Sequence, residues 1–221
     1  MKILIANSNS IHAVIENKCK SEWNAPIIKS PADLNDSFLS EYKPDFIFFL
    51  HWSHIISDNI WKNYKCVVFH MTDLPFGRGG SPLQNLIVNG YTKTVISAIK
   101  VEAGIDTGDV YCKKELSLHG TAEEIFLRAG ETIFEMIKVI VHDNPSPIPQ
   151  VGTPTNFKRR TPSQGDIKKL ATLQEIYDYI RMLDAEGYPP AFLETENFKF
   201  EFKRASLKKD SIIADVRIFK K

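Results

Sequence analysis

The chain has 221 residues, 43% of them hydrophobic, and its 28 Lys and Arg nearly balance its 27 Asp and Glu. This length predicts one large domain or one domain with a small appendage, and the apolar fraction excludes a disordered chain. The balanced charge argues against a protein that binds nucleic acid through a broad basic face, so we expect no nucleic-acid partner. Residues 151–221 carry 14 basic and 10 acidic side chains, a slight excess that suits a phosphorylated small molecule.

The three cysteines, Cys19, Cys66 and Cys112, are far apart and form no C-x-x-C pair, which argues against a disulfide framework or a zinc knuckle. The apolar run Ile3–Ala6 stops at Asn7 and indicates a first strand rather than a signal peptide. No apolar run is long enough to span a bilayer. We therefore expect a cytoplasmic protein with no metal site and no membrane partner.

Strands and helices alternate from Lys2 to His142. Predicted strands cover Lys2–Ala6, Ala25–Ile28, Asp45–Leu50, Cys66–His70, Thr92–Val101 and Val110–Leu118, and predicted helices cover His12–Lys20, Ser57–Tyr64, Pro82–Asn89 and Thr121–His142. The last helix opens with the capping box Thr121–Glu124 and then carries apolar residues at helical spacing. The continuous apolar run of the third strand is typical of parallel strands buried on both faces. We predict an α/β fold, doubly wound around a mostly parallel sheet, with its sites at the carboxyl ends of strands.

A proline-rich segment, Asn144–Pro154, follows and indicates an extended linker. Beyond it the sequence predicts a helix over Leu173–Leu183 and strands over Ala191–Glu194, Lys199–Ala205 and Ile212–Phe219. We therefore expect a main domain over residues 1–145 and a small C-terminal α+β subdomain over residues 146–221.

A histidine, His70, lies where an apolar strand opens into a loop. Because side chains alternate along a strand, His70 and Val68 share one face. A neutral imidazole in this position can take a proton from an attacking amine. The alternative is a core histidine that bonds a backbone carbonyl.

Two turns supply further polar groups. The glycine-rich turn around Arg78 allows a ligand to approach closely, and Arg78 can pair with a phosphate or a carboxylate, although a solvated arginine in a tight turn is the alternative. Asp106 and Asp109 lie in a second turn that leads into a strand. Asp106 beside an imidazole would orient the ring and favour its protonated form, and an Asx turn is the alternative.

Taken in order, H-x-T-x-L-P from His70, R-G-x-x-P from Arg78 and G-x-D-T-G-D from Gly104 resemble the motifs of the N10-formyltetrahydrofolate-dependent formyltransferases. That family includes methionyl-tRNA formyltransferase, glycinamide ribonucleotide transformylase and the sugar N-formyltransferases. A weaker similarity continues through Lys158–Pro162 and Tyr179–Glu194. The resemblance implies a catalytic domain over residues 1–145, an N-formyltransferase activity, and N10-formyltetrahydrofolate as the formyl donor.

The resemblance also implies roles for individual residues. His70 and Asp106 are expected to be catalytic, with His70 as general base on the amine or as the imidazolium that stabilises the tetrahedral oxyanion, and Asp106 as its orienting partner. Thr72, expected to be a third catalytic residue, stands where the family usually has a serine. The residues implied to border or bind the cofactor are His51, Trp52, Arg78, Gly79, Gly80 and Asp109. Trp52 is expected to stack on the pterin or on a nucleobase, with packing on the following helix as the alternative.

Val68 departs from the family pattern, which usually has an asparagine two residues before the histidine. Loss of one donor to a developing oxyanion typically costs about 10²–10³ in rate. Three explanations stay open: the imidazolium acts alone, the protein is a slow or degenerate member, or another donor substitutes, the candidates being Thr72, Asn85, His51 and His54.

The expected acceptor is a nucleotide-linked amino sugar, of the UDP-linked 4-amino-4,6-dideoxy type used in pseudaminic-acid pathways. This expectation rests on the wording of the His70 motif and on the 71 residues that follow position 150, which are few for an RNA-contacting domain. The alternatives are methionyl-tRNA, glycinamide ribonucleotide, or a degenerate protein that only binds folate or a nucleotide sugar. The expected partner is thus a small molecule, and a homodimer is left open.

Overall fold

The elements of the fold alternate between strands and helices up to Asp143, as the sequence predicts. The computed structural model describes residues 1–9, 11 and 13–221. In chain order the elements are β1 (Ile3–Ala6), α1 (Ala13–Trp23), β2 (Ile27–Ile28), α2 (Asp36–Tyr42), β3 (Phe46–Phe49), α3 (Asp58–Asn63), β4 (Lys65–His70), β5 (Arg78–Gly79), α4 (Pro82–Val88), β6 (Lys93–Lys100), β7 (Val110–Ser117), α5 (Ala122–Asp143), β8 (Asn156–Phe157), α6 (Leu173–Arg181), β9 (Ala191–Glu194), β10 (Phe198–Leu207) and β11 (Ile212–Lys220), with a 3-10 helix over Pro162–Gly165.

A six-stranded sheet in the order β2-β1-β3-β4-β6-β7 forms the centre of the fold. Strands β1 to β4 pair in parallel, and β4 pairs with β6 in antiparallel orientation. Every residue of β1 and β3 is buried, because helices cover both faces of a parallel sheet. The predicted α/β fold with a mostly parallel sheet and a small C-terminal α+β subdomain is confirmed.

The long helix α5 shows how closely the apolar pattern predicts burial. Its predicted stripe is at most 3% exposed throughout, and consists of Ile125, Ala129, Ile133, Met136, Ile137 and Ile140. The predicted capping box is present, since Glu124 accepts the Thr121 N–H at 2.8 Å and donates its own N–H to the Thr121 hydroxyl at 3.2 Å. Both features follow from sequence spacing alone.

Other boundaries differ from the prediction. Helix α2 was not expected; Asn35 begins it by accepting the Phe38 N–H on its side chain at 3.0 Å. Helix α1 extends to Trp23, and His12, the predicted first residue of this helix, lies outside the described residues. Among the described helices, none combines the length and the apolarity needed to cross a membrane.

The chain divides into two units that are interleaved along the sequence. The first comprises Met1–Gly79, Thr94–Leu116 and Phe126–Asn156, and the second comprises Gly80–Lys93, Ser117–Ile125 and Phe157–Lys221. In the second unit, β9, β10 and β11 form an antiparallel sheet. Buried Arg181 donates to the carbonyls of Leu118 at 2.6 Å and Gly120 at 3.0 Å, and these bonds attach residues 117–125 to the C-terminal part of the chain. The sequence places one boundary near residue 145, and that functional division stays a prediction.

We predict that Gly108→Ala destabilises the first unit strongly. A Cβ at this position would lie 1.8 Å from the backbone carbonyl oxygen of Lys100, so the turn between β6 and β7 would have to open. We expect a loss of about 3 kcal/mol in the free energy of unfolding, measured by urea denaturation. Gly90→Ala is the control: nothing lies within 4 Å there, and its φ of +78° alone should cost about 1 kcal/mol. Equal losses in the two variants would contradict the close approach.

Candidate active site

The carboxyl ends of the parallel strands β1, β3 and β4 lie at one edge of the sheet. Asn7 and Ser8 follow β1, His51 follows β3, and His70 ends β4. The Ser8 N–H and hydroxyl donate to the His51 carbonyl at 3.2 and 2.8 Å, which joins the first two loops. Because buried strands satisfy their own backbone groups, polar side chains become available mainly where the strands end.

His70 is 8% exposed and has an acceptor opposite each ring nitrogen. Its Nε2 lies 2.8 Å from the Gly77 carbonyl oxygen, and its Nδ1 lies 3.4 Å from Asp106 Oδ2. Which ring nitrogen carries a proton depends on the tautomer. The structure thus contains both the carbonyl bond of the structural alternative and the carboxylate partner of the catalytic prediction.

Asp106 is held on two sides in a turn between β6 and β7. Its backbone is in the left-handed region, with φ +55°, which an aspartate tolerates better than most residues. Its Oδ2 accepts the Gly79 N–H at 2.9 Å and faces His70. The structure therefore brings three predicted site residues together around one carboxylate.

Thr72 and Asp109 bond to backbone groups near the site rather than to the side chains of His70 and Asp106. Thr72 is fully buried, and its hydroxyl lies 3.4 Å from the Gly77 carbonyl that His70 also contacts. Asp109 is half-buried and accepts the Lys100 N–H on its backbone carbonyl. Thr72 supports the loop that carries Gly77, and the predicted roles of both residues toward substrate or cofactor stay predictions.

Gln150 of the proline-rich segment and Thr155, directly after that segment, belong to the site and were missed by the sequence analysis. Gln150 accepts from the Arg78 guanidinium at 2.7 and 3.2 Å, and Thr155 accepts the Gly77 N–H on its hydroxyl at 2.7 Å. Neither residue lies in a recognisable motif. The signal that could have found them is weak: two polar side chains in a segment that the prolines mark as extended.

Val68 is half-buried, and its covered side packs against apolar residues. It lies beside a buried cluster made of Leu74, Ile99 and Val110. In β4 it is paired with Ile99 of β6 and Phe49 of β3. The place of the usual asparagine is therefore taken by a half-buried apolar side chain that packs against the core.

The aromatic residues after β3 are half-buried. Trp52 packs edge-on against Phe49 at 5.6 Å and against His54 at 5.4 Å. His51 packs edge-on against Phe126 at 5.7 Å, and burial lowers the pKa of its ring, which favours the neutral form. Packing explains both placements, and the predicted contacts with a cofactor stay predictions.

Gly80 and Asn85 belong to the second unit. A Cβ on Gly80 would lie 2.7 Å from the Cβ of Arg159, so glycine allows the two chain segments to approach closely. The Asn85 side-chain NH₂ donates to the carbonyls of Gly80 and Lys158, both at 3.0 Å. Since both of its N–H groups are used, Asn85 is a poor candidate for the missing oxyanion donor.

Within the described ranges, no cluster of three or more His, Cys, Asp or Glu suits a metal ion.

Two family models match the chain. The one described as formyl transferase matches residues 5–129, and the one described as the methionyl-tRNA formyltransferase C-terminal domain matches residues 162–219. The first covers more than half of the chain and includes His70 and Asp106. The chain belongs to the formyl transferase family, and the membership that the motifs predict is confirmed.

Individual relatives show which members of the family this chain is similar to. The methionyl-tRNA formyltransferase of Francisella philomiragia is 31% identical over 73% of this chain and 54% of its own length. This chain spans about half the length of the curated relatives it matches. A solved structure described as methionyl-tRNA formyltransferase from Clostridium thermocellum is 50% identical, covers 100% of both chains and superposes with a TM-score of 0.96. A sugar N-formyltransferase from Shewanella sp. FDAARGOS_354 covers 97% of this chain at 13% identity, with a TM-score of 0.67, and shares the fold alone.

These relatives correct the predicted acceptor. The prediction of a nucleotide-linked amino sugar as acceptor, with no nucleic-acid partner, is wrong. The similar proteins at 31% and 50% identity are methionyl-tRNA formyltransferases. The prediction relied on balanced charge and on the small number of residues after position 150. The Clostridium thermocellum chain is covered completely by this one, so a short C-terminal part does not separate the two classes of acceptor. The expectation of a homodimer is not addressed by these relatives.

We predict that Val68→Asn destabilises the protein by about 1 kcal/mol, because part of its amide would lie against the cluster of Leu74, Ile99 and Val110. Urea denaturation measures the change. The matched control is Val14→Asn in α1, where the side chain is 52% exposed and the change should stay within about 0.5 kcal/mol. A Val68 variant as stable as the parent would mean that the position tolerates the family asparagine.

Proposed function

We propose that this protein transfers a formyl group from N10-formyltetrahydrofolate to the amino group of methionyl-tRNA. Membership of the formyl transferase family supports the reaction class and the donor. The acceptor is supported by the 50% identity to a methionyl-tRNA formyltransferase over the full length of both chains. The match of residues 162–219 to the C-terminal domain of such enzymes supports the same acceptor.

The observation that carries the proposal is the His70–Asp106 pair. With an acceptor opposite each ring nitrogen, the ring is arranged to carry positive charge. In a formyl transfer, negative charge develops on the formyl oxygen as the amine attacks. A positive ring beside that oxygen stabilises the transition state more than the ground state, which is the requirement for catalysis.

Asp106 has two roles in the proposed reaction, to orient the His70 ring and to accept a proton. Its Oδ2 orients the ring through Nδ1 and balances the charge of the imidazolium. The attacking amine must also lose a proton, and a carboxylate paired with a histidine can accept it directly or through one water molecule. The donor, when bound, supplies the one-carbon group, and the chain supplies orientation, charge and the path of the proton.

The valine at position 68 increases the demand on the histidine. Valine has no side-chain hydrogen-bond donor, so in the proposed reaction the ring of His70 stabilises the oxyanion without the usual asparagine. We therefore expect His70 to contribute more here than in a site that also has an asparagine.

The test is formylation of methionyl-tRNA by the purified protein with N10-formyltetrahydrofolate, followed by mass spectrometry of the released aminoacyl product. We expect His70→Ala to lower kcat/KM by about 10²–10⁴, because it removes the positive charge beside the oxyanion and the ring with which Asp106 is paired. The matched control is His142→Ala, in the exposed last turn of α5, which should retain parental activity.

Three outcomes separate the alternatives. Turnover on methionyl-tRNA that is lost only in the His70 variant supports the proposal. Binding of the folate without turnover on methionyl-tRNA or glycinamide ribonucleotide would indicate a protein that binds the donor but has lost catalysis. Equal activity in the two histidine variants would exclude His70 from the reaction.

A further inference from the structure

The proline-rich segment is fastened to the first unit on both sides of Gln150. Val110 and Ile148 exchange both backbone hydrogen bonds, at 2.8 and 3.0 Å. Five residues beyond Gln150, the Thr155 carbonyl accepts the Arg78 N–H at 2.9 Å. The backbone at Gln150 is therefore anchored on either side, although the sequence indicates a linker there.

The side-chain amide of Gln150 uses every hydrogen-bonding position that it has. Its Oε1 accepts from Arg78 Nε at 3.2 Å and from Arg78 Nη2 at 2.7 Å. Its Nε2 donates to the carbonyls of Asp106 at 2.9 Å and Gly108 at 2.8 Å. Because a guanidinium only donates and a carbonyl only accepts, the amide has one satisfactory orientation.

The two donated bonds fix the turn that carries Asp106. They hold the carbonyl of Asp106 itself and the carbonyl two residues later, at Gly108, where no side chain would fit. The turn keeps Asp106 at a φ of +55°. This conformation costs free energy and persists only where the surrounding contacts enforce it. The orientation of the carboxylate toward His70 therefore depends on contacts to the backbone of the turn.

The accepted bonds keep Arg78 apart from the carboxylate. A neutral amide lies between a guanidinium and the Asp106 turn, and it satisfies the cation without competing for the proton on His70. Asp106 Oδ2 keeps the Gly79 N–H and His70 as its partners. Glutamine suits this place because it can accept on one side and donate on the other.

We infer that Gln150 is a positioning residue, which holds the Asp106 turn so that the carboxylate stays on His70 Nδ1. The inference rests on the proposed function for its effect on turnover, but its geometric part concerns only the residues of the first unit. Gln150 acts through Asp106 and has no contact with the His70 ring of its own.

Gln150→Glu tests the inference, because glutamate keeps an acceptor for Arg78 and loses both donors to the turn. A displacement of about 1 Å in a catalytic group can cost about 100-fold in rate. We expect kcat for formyl transfer to fall by about 10–100-fold while KM for the donor stays within about two-fold, since Arg78 keeps its partner. Gln174→Glu, on the exposed face of α6, is the matched control and should change neither constant.

A double-mutant cycle separates positioning from a general loss of structure. If Gln150 works through the carboxylate, Gln150→Glu should cost little further rate once Asp106→Asn is present. Additive losses in the double variant would overturn the inference. Gln150→Leu, which has neither donor nor acceptor, provides a second variant if glutamate prevents folding.

The ¹⁵N chemical shifts of the His70 ring supply a readout without turnover. At one fixed pH we expect the Nδ1 resonance of the uncharged Gln150→Leu variant to differ from that of the parent, since the carboxylate beside Nδ1 has been displaced. An unchanged His70 resonance in this variant would overturn the inference whether or not the enzyme is active. If the parent protein does not formylate methionyl-tRNA but the variant's His70 resonance is shifted, only the proposed function is contradicted.

Discussion

Burial of the parallel strands β1, β3 and β4 is the constraint on which the site depends. A strand covered on both faces must be apolar along its length, and β1 and β3 are buried at every residue. The backbone groups inside the sheet satisfy one another, so polar side chains can emerge only where the strands end. His70 is the last residue of β4, and this placement brings its side chain to that edge.

The His70–Asp106 pair depends on a hydrogen-bond network that gives the Asp106 carboxylate and the Arg78 guanidinium separate partners. Asp106 has the Gly79 N–H and His70 as partners, whereas Arg78 is turned to the neutral amide of Gln150. A direct pair between Arg78 and Asp106 would lower the negative charge available to the histidine. The network thus connects the loop after β4, the turn before β7 and the segment after α5.

Val68 shows that family membership and site chemistry are separate questions. The chain belongs to the formyl transferase family, yet a half-buried apolar side chain occupies the position of the usual asparagine and packs against a buried cluster. An enzyme built in this way must stabilise the oxyanion with fewer donors. The acceptor was also beyond reach of the motifs, because the motifs lie around the transferred group and are shared by enzymes with different acceptors.

The sequence by itself determined most strands of the main sheet and its long helix. The apolar run of β3 and the helical stripe and capping box of α5 are local patterns, and each predicts a feature found in the structure. The pairing of His70 with Asp106 came from the resemblance to the family, and the structure places the two side chains 3.4 Å apart. Tertiary structure alone decided that Gln150 and Thr155 join the site, and that residues 117–125 attach to Arg181 in the second unit. These outcomes depend on hydrogen bonds between residues about 40 to 80 positions apart, and such bonds leave no periodic pattern in the chain.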